Sequence, residues 1–578
     1  METCPAAVEK QMAAPPKNKG GWKSIRYIIG NESFEKLASM SLVMNMTVYL
    51  RTNYNMSGIF LVNVVTIWIG TSNIWSLAGA FVSDAYIGKY ITLLYGSIAS
   101  LMGMGMMTLT AGVPHLRPPK CTDLPNCIQP ENWQLALLFT GLGLLVIGAG
   151  GLRPCGVAFG VDQFDTTTVK GQKQLQSFFN LWYLSFTLTL IIALTGVVYI
   201  QTNISWVIGF AIPTTCLLFS VIIFLIGRHT YVIKKPEGSV FSDIIKVIIA
   251  SIRKRKIPSN YSFYYPHHQQ QSNNNILVRT QRFKCLDKAA MIVDPRELNS
   301  NLLPKNKWRL CSVQQVENLK CVIGILPVWV SGVGCMLVID QQTTFGVLQA
   351  MQMTTTVGTT GFKIPPGWVT EIAMITLSIW IFVYEGIYIP KLMKLLKKDA
   401  RLTMVTRVRI GIIVSIFCMV TAGIIERKRR DSALNNHTYV APLHVFWLVP
   451  QFMLSGFDSV AIMEFFTTQM PESMRTVAGA IFFVTLSISS YLSSLIVNVI
   501  HKLTGTNGRN PWLGGHDLNN NRLDYYYYII AGFGVLNLIY FTFIGSKFVA
   551  PVKIVGVEEE LQQVEYSGEG SSGGPELF

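Results

Sequence analysis

Glu32, Glu35 and Lys36 stand at i, i+3 and i+4, a spacing that places all three on one face of a helix. Carboxylates beside a cation can exchange a proton when the cation moves away, because losing the opposite charge makes the carboxyl easier to protonate. The same spacing suits a cytosol-facing helix start, where the helix dipole favours acids, so spacing alone leaves both readings open. Arg153 lies in the run Gly150 to Cys155 (GGLRPC). A lone Arg inside an apolar span calls for a counter-ion, and Glu32 or Glu35 is expected to supply it; the alternative is backbone carbonyls freed by Pro154. Asp340 ends the apolar run Val328 to Ile339 and precedes Gln341, Gln342, Thr343 and Thr344. Within a span it is a candidate proton or substrate site, and at a span's end it is an interfacial acid. Asp458 and Glu464, near Gln451, are a third acidic group, with Glu464 read as marking a cytosolic helix end. Trp329, Trp182, Tyr183 and Phe178 are candidates to line a pocket, although aromatics in spans commonly serve packing or interface belts.

The elements that hold these residues are apolar. Of the 578 residues, 14% are charged, against about 25% in soluble proteins. Hydrophobic residues make up 50% and mean hydropathy is +0.37. This composition excludes disordered, collagen-like and disulfide-framework classes and argues against a soluble one. The net charge of +16 would fit nucleic acid, but most of it lies in one stretch. Between Arg228 and Gln315 there are 16 Lys and Arg against 5 Asp and Glu, so a solvated linker is expected and no nucleic-acid partner. No HExxH, Walker loop or GxSxG at a strand–helix turn occurs. No enzyme, metal site or cofactor is expected.

A spanning helix takes about 20 mostly apolar residues. Six candidates precede the basic stretch, at 34–50, 58–82, 90–113, 134–157, 177–200 and 205–227. Six follow it, at 319–344, 367–389, 405–425, 442–466, 474–500 and 524–546. The expected plan is a cytosolic tail (1–30), a six-helix bundle (31–227), a basic cytosolic linker (228–316), a second six-helix bundle (317–546) and a cytosolic tail (547–578). The fold class is all-α, a polytopic membrane protein of 12 transmembrane helices. Lys and Arg in the N-terminal tail, the linker and the loop after the eighth span put all three in the cytosol. Arg427, Lys428, Arg429 and Arg430, in an expected outer loop after the ninth span, break that rule. The first thirty residues are polar, so no cleavable signal is expected. Cys121 and Cys127 share a Pro-rich outer loop and are candidates for a disulfide. Asn436 opens a glycosylation sequon in an expected outer loop.

Two six-span bundles about a basic linker resemble the plan of the major facilitator superfamily, with substrate held between the halves near the midplane. The run Gly79 to Lys89 (GAFVSDAYIGK) resembles that superfamily's loop between the second and third spans, where an Asp (here Asp84) and a following cation form a cytosolic latch. More specifically, the chain is similar to the plant nitrate/peptide transporter family, a branch of the proton-coupled oligopeptide transporters, over residues 22 to about 550. Gly30 to Leu37 (GNESFEKL) resembles its first-span ExxER/K motif. Phe159 to Asp165 (FGVDQFD) resembles its FGADQFD motif, and Ser177 to Tyr183 (SFFNLWY) its SFFNWYY motif. Val316 to Lys320, Leu326 to Trp329 and Met470 to Arg475 match further stretches. The finer pattern resembles the subfamily of nitrate, glucosinolate and other glycoside carriers.

The resemblance implies proton coupling at Glu32, Glu35 and Lys36 with Arg153 as fourth-span partner. It also makes Thr92 a candidate phosphorylation site, an ordinary helix-start Thr being the other reading. Asp340 is expected to be a second titrating site, with Lys36 or Arg153 as the nearby cation. Gln341, Thr343, Trp329, Ser455 and Asp458 are the substrate-binding candidates. Some positions depart from the family. Ile339 stands where a nitrate carrier places a His, Ser39 and Ser41 stand where peptide carriers place Tyr and Gly, and Gly324 replaces a family Arg. Ser455 or Asp458 stands nearest to a missing tenth-span Glu. The expected function is a proton-driven symporter of a small organic solute, most of all a glycosylated plant metabolite. The alternatives are low-affinity nitrate transport or a divergent carrier acting as a sensor. The expected partners are the solute, protons and the lipid bilayer; the expected site is the plasma membrane, with the vacuolar membrane as the alternative. The sequence carries nothing on oligomeric state.

Overall fold

In hydrocarbon every backbone N–H and C=O must be paired within the segment, so long apolar runs become helices. The computed structural model describes residues 20–121, 127–165, 168–234, 236, 240–258, 262–265, 280, 282–299, 303–358, 361–396, 402–457, 475–505 and 511–548. Ten of its helices are long and apolar enough to cross a membrane. The first span, Trp22–Asn53, is 32 residues long but is not one of the ten, since Glu32, Glu35, Lys36 and several polar side chains interrupt it. The tenth span begins as Val445–Phe457; Asp458, Glu464 and the Met470–Arg475 turn fall outside the described residues, Arg475's helical backbone excepted.

Local chemistry sets several ends. Ser312 and Gln315 form a capping box at the start of the seventh span, Val313–Gln341, pairing two N-terminal groups that lack a helical partner. Glu131 and Gln134 do the same for the fourth span, Asn132–Val161. The glycines of the fourth span let neighbours close on it. A Cβ on Gly79 of the second span would collide with the Gly150 carbonyl, and one on Gly103 of the third span would meet the Gly141 carbonyl. Small residues at such crossings permit backbone-to-backbone packing in a membrane. This packing fixes the height of Arg153, one turn below Gly150.

Two expectations are corrected. The basic cluster after the ninth span is not in a loop. That helix, Met404–Asn435, runs on past the expected end. Arg429 is completely buried and ion-paired to Glu426 at 2.8 Å, Arg430 donates to the Asn519 carbonyl, and Lys428 lies over the Trp447 ring. These cations are held by partners at that end of the second bundle. The linker is likewise not simply solvated. Its helix Val240–Arg253 packs Val247 and Ala250 onto Ala289, Ala290, Cys311, Val316 and Leu319. Lys320 bridges Glu317 and Asp287 from the same place. The linker is therefore anchored on the start of the seventh span.

Several hydrogen bonds join the two bundles in the half of the molecule away from the linker. Asn63 meets Asn498 and Ser494, Thr71 meets Tyr491, Thr47 donates to the Thr343 carbonyl and Arg51 to that of His516. Apolar residues from both sides, among them Tyr49, Leu61, Phe345, Val497 and Tyr526, share one buried cluster. The two bundles are closed on each other in this half of the molecule, which the sequence reading expects to face outwards. A disulfide joins Cys121 to Cys127 in the outer loop, and Asn436 is exposed at the outer end of the ninth span.

Candidate functional site

The first bundle gathers its ionisable groups where the first, fourth and fifth spans meet. Glu35 is buried, with 5% of its surface exposed, and pairs with Lys36 at 3.3 Å. Glu32 is set against Gly156 of the fourth span, where an added Cβ would press on its carboxylate, and Trp182 approaches it from the fifth. One carboxylate oxygen of Glu32 has no hydrogen-bond partner among the described residues. Arg153 donates to the side-chain carbonyl of Asn73 at 2.8 Å. Its direct partner is thus an amide from the second span, not the expected carboxylate, although Glu35 lines the same small cavity. That cavity holds about 30 Å³ and its neighbour beside Glu32 about 10 Å³. Such spaces admit a water molecule but no organic solute. The arrangement can hold and pass a proton; it cannot enclose a metabolite in this state.

The second bundle holds a longer polar array. Both oxygens of Asp340 accept hydrogen bonds, from Ser489 and Ser490 at 2.9 Å each. Its direct partners are eleventh-span hydroxyls, and neither Lys36 nor Arg153 forms an ion pair with it. Gln341 is fully buried; it donates to Ser493 and accepts from Tyr526, so its amide is engaged inside the bundle and does not face a solute. Gln451 donates to both Gln342 and Gln349. Gln349 donates to Glu426 and accepts from Tyr527, and Arg429 continues the chain to Asn519. Thr343 sits at the bundle contact through Thr47. Ser455 is buried. Trp329 packs with an apolar cluster that includes Ile339, and its indole N–H has no partner among the described residues.

Thr92 is buried, 6% exposed, and donates to the Gly88 carbonyl. A phosphate there requires the third and fourth spans to part. Lys89 pairs with Asp162 at 2.6 Å, and Lys234 reaches the same carboxylate at 3.1 Å. The cation that follows Asp84 is thus ion-paired to the FGVDQFD stretch, with Asp84 near enough to feel its charge. The sequence reading missed Asn73, the Glu426–Arg429 pair and Glu371, whose carboxylate has one oxygen without a partner among the described residues. Only the pair left a signal, the i, i+3 spacing of opposite charges. Among the described residues no His, Cys, Asp and Glu cluster could hold a metal.

Two helical bundles closed on each other over their outer halves, with acids and bases buried within them, define a membrane carrier of the major facilitator type. A model described as the POT family matches residues 90–513. Protein NRT1/PTR FAMILY 2.8 of Arabidopsis thaliana is 55% identical over 92% of this chain and 96% of its own length. Protein NRT1/PTR FAMILY 2.12 of the same plant is 42% identical over 94% of each. A solved auto-inhibited POT family peptide transporter superposes with a TM-score of 0.65 at 16% identity, covering 93% of this chain and 98% of that one. The chain belongs to the POT family. It is a multi-pass membrane transporter and not an enzyme.

Proposed function

We propose that the protein is a proton-coupled symporter of the plasma membrane that imports a small organic solute by rocking its two bundles. The observation that carries this reading is the first-bundle cluster. Glu35 pairs with Lys36 and lines two water-sized spaces, one shared with Arg153 and the other with Glu32. Burying such charges in a span costs about 2.5–3.5 kcal/mol each by insertion scales, so a purely structural role is an expensive one. Glu32, Glu35 and Lys36 carry the coupling proton in this reading, and Arg153, held by Asn73, lies across a small cavity from Glu35.

For the solute we infer a glycosylated plant metabolite. Ile339 packs among apolar side chains and offers no donor to nitrate. Trp329, with its unpartnered indole N–H, gives a sugar or aglycone both a flat apolar face and a donor; Thr343, Ser455 and Asp458 complete the proposed set. Uptake in oocytes tests both parts. Glu35→Gln should reach the membrane and lose uptake driven by an inward proton gradient; undiminished gradient-driven uptake would overturn the coupling. Offered labelled nitrate and a panel of glucosides, the wild type should move a glucoside, and movement of nitrate alone would remove the glycoside reading.

A further inference from the structure

A cavity of about 600 Å³ lies between the two bundles, lined by none of the acids and bases of the candidate site above. The first bundle contributes Arg51, Asn53 and Asn55 from the end of its first span and Arg117, Lys120 and the disulfide from the loop after the third. The second bundle contributes Gln352 and His516. Three cations therefore face one space, and no carboxylate is among its lining residues within the described part of the chain. Asp517, next to the lining residue His516, is turned to other partners, accepting from the Gln352 amide and the Asn519 backbone N–H.

The second observation is an orphan donor. Asn53 is 4% exposed and lines this cavity, yet its amide nitrogen has no hydrogen-bond partner among the described residues. A buried donor left unpaired is costly, and such a group beside a cavity favours an acceptor brought by a ligand. A space of this size lies within the range of small-molecule sites, about 300–1,000 Å³. It is far larger than an inorganic ion needs.

We propose that this outer vestibule is a binding site for an organic anion, a solute of sugar size bearing a carboxylate or sulfate, distinct from any site between the bundles at the midplane. The anionic group takes the Arg117 and Lys120 charges, and the Asn53 amide donates to a hydroxyl or ring oxygen of the same molecule. Arg51 is less free to help, since it already donates to the carbonyls of Met56 and His516.

The test compares two probes that differ in one charge, para-nitrophenyl glucuronide and para-nitrophenyl glucoside, titrated onto the full-length protein in nanodiscs by calorimetry. The glucuronide should bind about tenfold more tightly than the glucoside, the size expected of one charged hydrogen bond. Added salt should narrow that gap. The Arg117→Gln/Lys120→Gln double variant should abolish the preference while glucoside binding stays as it was. Lys120 is exposed in a loop, so Lys120→Glu alone gives a second variant that leaves the fold intact and should reverse the preference. Equal affinity for the two probes overturns the proposal. So does a preference that survives both variants, because the anion would then be bound elsewhere.

Discussion

Asp340 holds a hydroxyl on each carboxylate oxygen and sits at 7% exposure. An aspartate that only closes a helix end would be wet, and this one is not. Replacing it with Asn keeps the shape and removes the ionisable group. Asp340→Asn should therefore flatten the dependence of uptake on external pH and weaken solute affinity, read from initial rates across a pH series. A curve superimposable on the wild type would make Asp340 a packing residue. The residue itself could be found in the sequence, because an acid at the end of an apolar run is conspicuous. Its partners could not. Ser489 and Ser490 lie about 150 positions away, and small hydroxyls in a span give no sign of which helix they face. Arg153 teaches the same lesson, since Asn73 was one polar residue among several in the second span.

The ninth span carries the largest departure from the sequence reading. Four consecutive basic residues looked like a loop because isolated cations are costly in a span. The structure keeps them helical by taking Arg429 fully inside, with two hydrogen bonds to Glu426 and one to Asn519. Charge alone misplaced the helix end; the opposite charge three residues earlier was the feature that could have moved it. The pair is a demanding one to break. Glu426→Gln should leave Arg429 uncompensated and cost about 3–5 kcal/mol, whereas replacing both ends with apolar residues of similar volume should cost much less. Melting of the purified single and double variants, Glu426→Met and Glu426→Met/Arg429→Met, would show the double variant more stable than the single one. A double variant as unstable as the single would mean that Asn519, Gln349 and Tyr527 need the charged pair for their own alignment. The second, third, fourth and sixth spans, by contrast, were legible nearly to their ends, whereas the first and fifth begin at Trp22 and Val169, well before their apolar runs, because their first turns are polar.

On the scale of the whole molecule, the carrier works by exchanging an outside-closed state for an outside-open one, and the outer contacts decide that balance. His516 is part of them. Arg51 of the first span donates to its carbonyl, as does the Tyr439 hydroxyl, and Gln129 of the third-to-fourth loop meets its ring at 3.2 Å. Arg117 and Lys120 share its cavity, while Asp517 beside it is bonded to Gln352. Burial first, and then the like charge of Arg51, hold the imidazole below its ordinary pKa of 6.5. Parting the bundles would wet the ring and remove Arg51, returning the pKa towards that ordinary value. The closed state thus binds fewer protons than the open one. Above the ordinary value the closed state bears no penalty, and as pH falls through it towards the depressed value, protons pull the equilibrium to the outside-open form. External acid would then open the gate on the side from which a proton-driven importer loads. The check is cross-linking of Thr47→Cys to Thr343→Cys, which touch across the bundles, as external pH goes from about 7.5 to about 5.5, the range in which histidine titrates. The yield should fall with acid in the otherwise wild-type protein and stay level in His516→Gln. An acid-induced fall of equal size in His516→Gln would assign the pH response to the buried carboxylates and leave the outer gate a passive seal.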